Sequence, residues 1–394
     1  VTTLVLSAEQ DVAVQRIVRW WKAPQRQAIF TVAGYAGTGK STVVSAAVDA
    51  LGLDPDTVRY ACYTGKAALV LTRKGCPAST IHSLIYTPII KVEIDEHGRE
   101  RERVVGFRLK KPDELMMISL LVLDEVSMVS AELLSDLASY GIPMLALGDP
   151  EQLPPVQAVG HNLLARPDVF LQHVHRQAAN NPILWASMQV RQGAALAYGR
   201  YGHNLTVMPR SHLTQQELLA ADQVLVGKNA TRQYLNGLMR QAQGHSGLPR
   251  QGEKLISLKN NWDEVSSAAP GSDPIPLING WIGRVTADVQ ARHVNKRRRI
   301  LTLTGVEDWD RPGVAFRYLE VNLDHFDPKP GEEPHSENRL NNFDYGYAIT
   351  THKSQGSEWS NVLYLHEPFG GSDNRRRLMY TGVTRAADHL TLVL

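Results

Sequence analysis

Cysteine is almost absent: Cys62 and Cys76 are the only two in 394 residues. Two thiols cannot form a metal site by themselves, and a disulfide framework normally uses more of them in a smaller chain. An all-cysteine metal site is excluded, and a reducing cytoplasm is the expected setting. An excess of one charge is also lacking, with 42 Lys and Arg against 40 Asp and Glu and a net charge of +2. Any affinity for nucleic acid must then come from local placement of charge. No stretch approaches the ~18 apolar residues of a membrane span. The opening VTTLVLSAEQ lacks the basic segment and apolar core of an export signal. What is present is a hydrophobic share of 43% and a charged share of 21%, the balance of a soluble globular protein. The length suits two or three cores.

Four short apolar runs, Ile29 to Ala33, Val58 to Tyr63, Leu120 to Leu123 and Met144 to Leu147, are bounded by Gly, Asp or Thr. Between them lie segments of helical spacing, Thr42 to Leu51, Lys66 to Arg73 and Ala131 to Ser139. Alternating β and α segments predict a doubly wound α/β lobe. From Ile90 to Lys110 the pattern changes to strict alternation on either side of a Glu-His-Gly-Arg-Glu turn, which predicts a β-hairpin. The second half returns to α/β character with a strand at Gln223 to Gly227, a helix at Ala230 to Gln241, and strands at Asn361 to Leu365 and Leu390 to Leu394. Short β-like runs at Gly283 to Ala287, Ile300 to Thr304 and Tyr318 to Leu323 predict a small inserted β module. Loops are expected at Ser266 to Pro276 and Asp327 to Asn338.

Gly34-Tyr-Ala-Gly-Thr-Gly-Lys40-Ser41 follows a strand and precedes a helix, where a phosphate-binding loop must lie. Its Gly37, Thr38 and Gly39 present backbone amides to phosphates, Lys40 supplies a cation and Ser41 can ligate Mg²⁺. Leu120-Leu-Val-Leu-Asp124-Glu125 ends a strand in two carboxylates. Asp124 is the candidate metal ligand and Glu125 the group that polarises the attacking water. ATP and Mg²⁺ are the expected cofactors, and hydrolysis is favoured over binding alone.

With Leu147-Gly-Asp149-Pro-Glu-Gln152-Leu-Pro the sequence resembles superfamily 1 DNA helicases. Cys62-Tyr-Thr64-Gly-Lys66, Ser79-Thr80-Ile-His82-Ser, His175-Arg176-Gln177, Thr351-His352-Lys353-Ser354-Gln355-Gly356 and Tyr380-Thr-Gly-Val-Thr384-Arg385-Ala386 follow in that family's order. The wording is most similar to the RecD-like and phage Dda-like branch, superfamily 1B, whose members move 5′ to 3′. The resemblance implies two RecA-like lobes, the first at 1–85 and 112–165 and the second at 166–280 and 341–394. A hairpin pin at 86–111 and an SH3-like β module at 281–340 would be inserted in them. It implies that Gln10 contacts adenine, that Gln152 senses the γ-phosphate, that Arg176 and Arg385 are arginine fingers, and that Gly356 and Glu358 line the cleft. Thr64, Lys66, Thr80, His82, Thr351, His352 and Lys353 become candidate contacts to DNA. His97, at the hairpin tip with Gly98, Arg99 and Arg101, becomes the candidate stacking group, with no Phe, Tyr or Trp beside it. The basic runs Lys296 to Arg299 and Arg375 to Arg377 could grip phosphates or be solvated surface. Trp20, Trp21 and Trp281 are assigned to packing.

The expected protein is an ATP-driven 5′ to 3′ helicase of cytoplasmic, phage-encoded or plasmid-encoded type, complete as a monomer. Its partners would be single-stranded DNA, single/double-strand junctions and replication or single-strand-binding proteins. Rival readings are a single-strand clamp or scaffold without unwinding, a P-loop switch acting on protein partners, and an RNA helicase.

Overall fold

The structure, a computed structural model, describes residues 5–73, 75–94, 100–154, 163–173, 181–267, 275–287, 289–293, 299–326 and 340–394. It divides into two compact units. One comprises Val1–Thr87, Arg108–His212 and Gln355–Leu394, the other Pro88–Phe107 and Leu213–Ser354.

The first unit is built on a six-stranded sheet in the order Ala78–Thr80, Val58–Cys62, Leu120–Asp124, Met144–Gly148, Ile29–Gly34, Val169–Leu171. Every pairing in it is parallel. A parallel sheet is covered on both faces, so its strands read as unbroken apolar runs. Leu120, Val122, Leu145 and Leu147 face one core, filled by Ala13, Ile17 and Trp20 of the helix Ala8–Lys22 and by Val43, Val44 and Ala47 of the helix Lys40–Leu51. Leu121, Leu123 and Ala146 face the opposite core, with Ile81, Leu133 and Leu137.

In the same unit Trp359–Leu365 and Leu205–Met208 run parallel to Ala386–Val393, and Gly199–Tyr201 closes an antiparallel pair with Leu205–Met208. The helices Pro182–Arg191 and Ser372–Val383 pack together beside these strands.

The second unit holds the parallel pair Gln223–Val226 and Ala348–Thr350, with the helix Asn229–Ala242. Its antiparallel sheet runs Val289–His293, Arg299–Asp308, Ile282–Val285, Lys254–Ser257, Phe343–Tyr345, and Ala315–Asn322 pairs with Arg299–Asp308. The buried Trp281 packs edge-on against Phe316 at 4.9 Å and donates its indole N–H to Asp308 Oδ2 at 2.6 Å. Packing is thus its role, as the sequence implies. Tyr86–Ile94 and Glu100–Leu109 form a separate two-stranded ribbon. Residues 95–99, where the sequence predicts the turn with His97, Gly98 and Arg99, lie outside the described residues.

Two expectations are corrected. The loop expected from Ser266 to Pro276 ends in a short strand, Pro276–Leu277, paired with Asn261–Val265, and Lys254–Ser257, which the sequence did not single out, is an inner strand of the antiparallel sheet. The reading from Lys296 to Arg299 as a phosphate grip fails at Arg299, which is buried and paired with Asp324 at 2.9 Å. Residues 294–298 lie outside the described set.

Candidate functional site: a phosphate-binding loop facing an arginine helix

The strand Ile29–Gly34 delivers its chain into a loop that enters the helix Lys40–Leu51. Gly37 and Gly39 have φ of 76° and 79°, the left-handed region that glycine occupies without strain. A Cβ on Gly37 would lie 2.9 Å from Leu184 Cδ1, so the loop is also closely packed. Thr38 is buried and donates its hydroxyl to the Tyr35 carbonyl at 2.8 Å. Lys40 folds its ammonium back onto the carbonyls of Gly34 and Tyr35, at 2.8 and 3.1 Å.

Gln10, expected against adenine, is 1% exposed. Its Nε2 donates to the Thr38 carbonyl at 3.1 Å, and its Oε1 accepts from Ser7 N at 3.0 Å to complete a capping box. Both ends of the carboxamide are therefore held by protein, and Gln10 ties the first helix to the phosphate loop.

Asp124 ends its strand and accepts the Glu125 N–H at 2.9 Å. Glu125 takes a φ of 54°, a strained conformation of the kind that concentrates at functional sites. The Gln152 carboxamide, oriented so that each end meets a complementary partner, donates to Glu125 Oε2 and accepts from Arg385 Nη2, both at 3.2 Å. Arg385 is 5% exposed. Its Nε and Nη1 donate to the carbonyls of Thr381 and Ser357, each at 3.1 Å, which fixes the plane of the guanidinium. Lys40, Ser41, Asp124, Glu125, Gln152 and Arg385 line one cavity of about 230 Å³, which Gly37, Gly356 and Glu358 also border.

Among the described residues no group of three or more His, Cys, Asp and Glu side chains is arranged to hold a metal. Ser41 and Asp124 nevertheless open into this cavity, and their hard oxygens suit Mg²⁺, which takes its remaining ligands from phosphate and water.

Sequence reasoning missed the groups that brace this site. Tyr380 is 1% exposed. Its hydroxyl donates to Asp149 Oδ2 at 2.6 Å and accepts the Ala36 N–H of the phosphate loop at 3.0 Å. Burial pushes the Asp149 carboxyl up, while Lys40 and the Tyr380 hydroxyl pull it down. Thr381 accepts Leu153 N–H at 3.0 Å, and Gln355 donates to the Leu153 carbonyl at 2.7 Å. Arg376 pairs with Glu151 and Asp373, and Arg377 donates to the Pro150 and Gln152 carbonyls. The run Arg375 to Arg377 is thus largely engaged within the protein. Tyr380 and Thr381 stand in the motif Tyr380 to Ala386; their partners, more than 200 residues away, leave no local signal.

The first group of candidate DNA contacts lies in helix-starting turns. Thr64 caps its helix at Ala67 N, 3.2 Å, and Thr80 caps the next at Ser83 N, 3.1 Å. Lys66 places its ammonium 3.9 Å from the Trp359 ring centroid. His82 is half-buried between Tyr63 and Tyr86, and burial lowers its pKa. In the second unit Thr351 is fully buried and gives its hydroxyl to the Val226 carbonyl at 3.0 Å, so that hydroxyl is already engaged. Burial lowers the pKa of His352 and of Lys353, and Lys353 donates to Asn279 Oδ1 at 3.0 Å. Arg176, with residues 174–180, lies outside the described residues. No helix among the described residues is long and apolar enough to cross a membrane.

Comparison with known proteins agrees with this architecture. Residues 5–208 match the family described as AAA domain, and residues 345–393 the UvrD-like helicase C-terminal domain. The chain is similar to the ATP-dependent RecD2 DNA helicase of Deinococcus radiodurans, 33% identical over 393 residues covering 91% of this chain and 46% of that protein. It is also similar to the ATP-dependent DNA helicase dda of Enterobacteria phage T4, 30% identical over 176 residues covering 41% of this chain and 38% of that one. The chain therefore spans about half the length of the RecD2 relative. In fold it is similar to the Pif1 helicase from Bacteroides in complex with ADP-AlF3 and ssDNA, with a TM-score of 0.56 at 18% identity over 99% of this chain and 92% of that one. The AAA match alone covers more than half of the residues, and the chain belongs to the AAA-domain family of P-loop proteins, in superfamily 1B of the helicases.

Proposed function

We propose that the protein is an ATP-driven DNA helicase that moves 5′ to 3′ along single-stranded DNA. The observation that carries this reading is the single cavity in which Lys40, Asp124, Glu125 and Gln152 meet Arg385, which belongs to a segment more than 200 residues further along the chain. A nucleotide-binding switch without hydrolysis has no need of a carboxylate, a carboxamide and a buried guanidinium in one line. Here Glu125 orients the attacking water, and Lys40 and Arg385 neutralise charge developing on the transferred phosphoryl group. Gln152 touches both Glu125 and Arg385 and so responds to both halves of the site. Mg²⁺, held by Ser41 and Asp124, would supply charge neutralisation between the phosphates. Arg176 is proposed as the second arginine finger. RecD2, dda and Pif1 relatives that are helicases by name favour this reading over a P-loop switch acting on proteins.

Two groups of residues are proposed to hold the sugar-phosphate backbone, Thr64, Lys66, Thr80 and His82 in one unit and His352 and Lys353 in the other, where the buried Thr351 is proposed to brace the turn that carries them. Lys66 supports the coupling of grip to chemistry. It rests on Trp359, whose backbone N–H bonds the Arg385 carbonyl at 3.0 Å, so movement of Lys66 onto a phosphate changes the packing next to the finger. The ribbon Tyr86–Ile94 and Glu100–Leu109 is proposed as the element that parts the duplex, with His97 at its turn. The lobe limits 1–85 and 112–165, 166–280 and 341–394 are proposed as the moving parts, and the module at 281–340 as a flank to the strand. Similarity to a phage helicase and to conjugal transfer protein TraA of Rhizobium radiobacter supports an origin on a mobile element and work in a bacterial cytoplasm.

The test is ATP hydrolysis with and without single-stranded DNA, in the wild-type chain and in Glu125→Gln. Hydrolysis that rises on adding DNA and disappears in the variant is expected. Hydrolysis indifferent to DNA overturns the helicase reading in favour of a protein-directed switch, and stimulation by RNA alone overturns the choice of DNA.

A further inference from the structure

The geometry points to Tyr380 as a positioning residue for hydrolysis, one that sets Arg385 in register with the phosphate loop without touching the nucleotide. The inference rests on the ATPase reading above and extends it to a residue outside the reacting groups.

A tyrosine hydroxyl has one proton to donate and lone pairs to accept with, and Tyr380 uses both functions inside the protein. It donates to Asp149 Oδ2 and accepts Ala36 N–H. One oxygen atom thereby joins three pieces of chain that converge on the cavity: the phosphate loop, the segment from Asp149 to Leu153, and the helix Ser372–Val383. The next residue, Thr381, extends the connection in two directions. Its hydroxyl accepts Leu153 N–H, one residue after Gln152, and its carbonyl accepts Arg385 Nε. Tyr380 therefore fixes the helix against the phosphate loop, and the same turn of helix fixes the finger.

The bonds to Asp149, Leu153 and Arg385 are buried and the bond to Ala36 half-buried, so loss of the hydroxyl leaves the Ala36 N–H and the Asp149 carboxylate short of a partner. The ring would still fill its space. The expected consequence is a small displacement of the helix relative to the loop. Displacement of a group that acts on the transition state costs rate, while ground-state binding through the loop amides and Lys40 persists.

The experiment compares Tyr380→Phe with Tyr364→Phe in the full chain. Tyr364 is the control: its hydroxyl lies 3.2 Å from Leu378 O of the same helix and 3.0 Å from His366 Nδ1, but reaches neither Asp149 nor Ala36. Steady-state hydrolysis with single-stranded DNA is measured beside binding of ADP and of ADP with aluminium fluoride, a mimic of the transferring phosphoryl group; thermal melting reports folding. For Tyr380→Phe the expected result is a kcat lower by about tenfold or more, with KM for ATP and affinity for ADP within about twofold and a weakened preference for the fluoride complex. Tyr364→Phe is expected to match the wild type in hydrolysis and in both binding readouts, whatever stability it loses with its own hydrogen bonds. Equal losses in the two variants, or a rise in KM with kcat unchanged in Tyr380→Phe, overturn the inference and leave Tyr380 a packing residue. Wild-type kinetics in Tyr380→Phe overturn it while the ATPase reading stands; a wild-type chain that hydrolyses no ATP overturns both.

Discussion

Arg385 Nη2 lies 3.2 Å from the carboxamide oxygen of Gln152, whose nitrogen reaches Glu125 at the same distance. The proposed finger is thus connected to Glu125, the group proposed to orient water, through one neutral side chain. It is also braced by the carbonyls of Thr381 and Ser357. Replacing it with lysine keeps the charge but cannot reproduce a planar set of donors. Arg385→Lys and Arg385→Ala are expected to lower kcat by ~10³ or more while ADP still binds. Single-turnover hydrolysis checks this; a loss confined to KM contradicts it.

Gln10 serves the phosphate loop by holding Thr38 and the start of its own helix. Gln10→Ala removes a buried hydrogen bond and half of a capping box, and it is expected to lower stability by about 1–3 kcal/mol. ATP affinity should fall with it, because the loop loses its support. Urea denaturation and ATP titration read the two effects; unchanged stability with weaker adenine discrimination would return Gln10 to direct contact with the base.

Gly356 has φ of 70°, and a Cβ there would stand 2.7 Å from Thr64 Oγ1 and 3.1 Å from Ala67 Cβ. Alanine at this position is strained by its backbone, at ~1–3 kcal/mol, and also pushes on the turn that carries Thr64 and Lys66. The expected outcome for Gly356→Ala is reduced DNA stimulation of hydrolysis, with the larger loss in stimulation than in the DNA-free rate. A purely thermal destabilisation with normal stimulation contradicts the proposed link.

His366 is held down from its ordinary value to about 4, first by burial and then by Arg210, with Glu367 opposing. Between about pH 6.5 and 4 the unfolded chain binds a proton that the folded chain refuses. The stabilisation is therefore complete above pH 6.5 and is lost as pH falls toward 4. The expected loss is at most about 3 kcal/mol. Denaturation midpoints at pH 7 and pH 4.5 check it: His366→Gln should flatten the dependence, and an unaltered slope contradicts the assignment.

The parallel sheet was legible because its strands are buried on both faces and so spell continuous apolar runs, such as Leu120 to Leu123. The phosphate loop and the paired carboxylates were legible because their chemistry is local in sequence. The inner strand Lys254–Ser257 was not, since a four-residue run opening on a lysine gives no alternation to read. That lysine is buried because its ammonium reaches the Asp222 carbonyl and Gln223, at 2.8 and 3.0 Å. The tie from Gln10 to Thr38 and the one from Tyr380 to Asp149 were not legible for one physical reason: each partner is distant in sequence. Residue type and spacing do not encode such pairings.

The central claim, a directional motor, is tested most directly by unwinding of a short duplex carrying a single-stranded tail at only its 5′ or only its 3′ end, with ATP and Mg²⁺. The 5′-tailed duplex is expected to open and the 3′-tailed one to stay closed, and Glu125→Gln is expected to open neither. Opening of the 3′-tailed duplex, or failure of both where DNA does not stimulate hydrolysis, would contradict it.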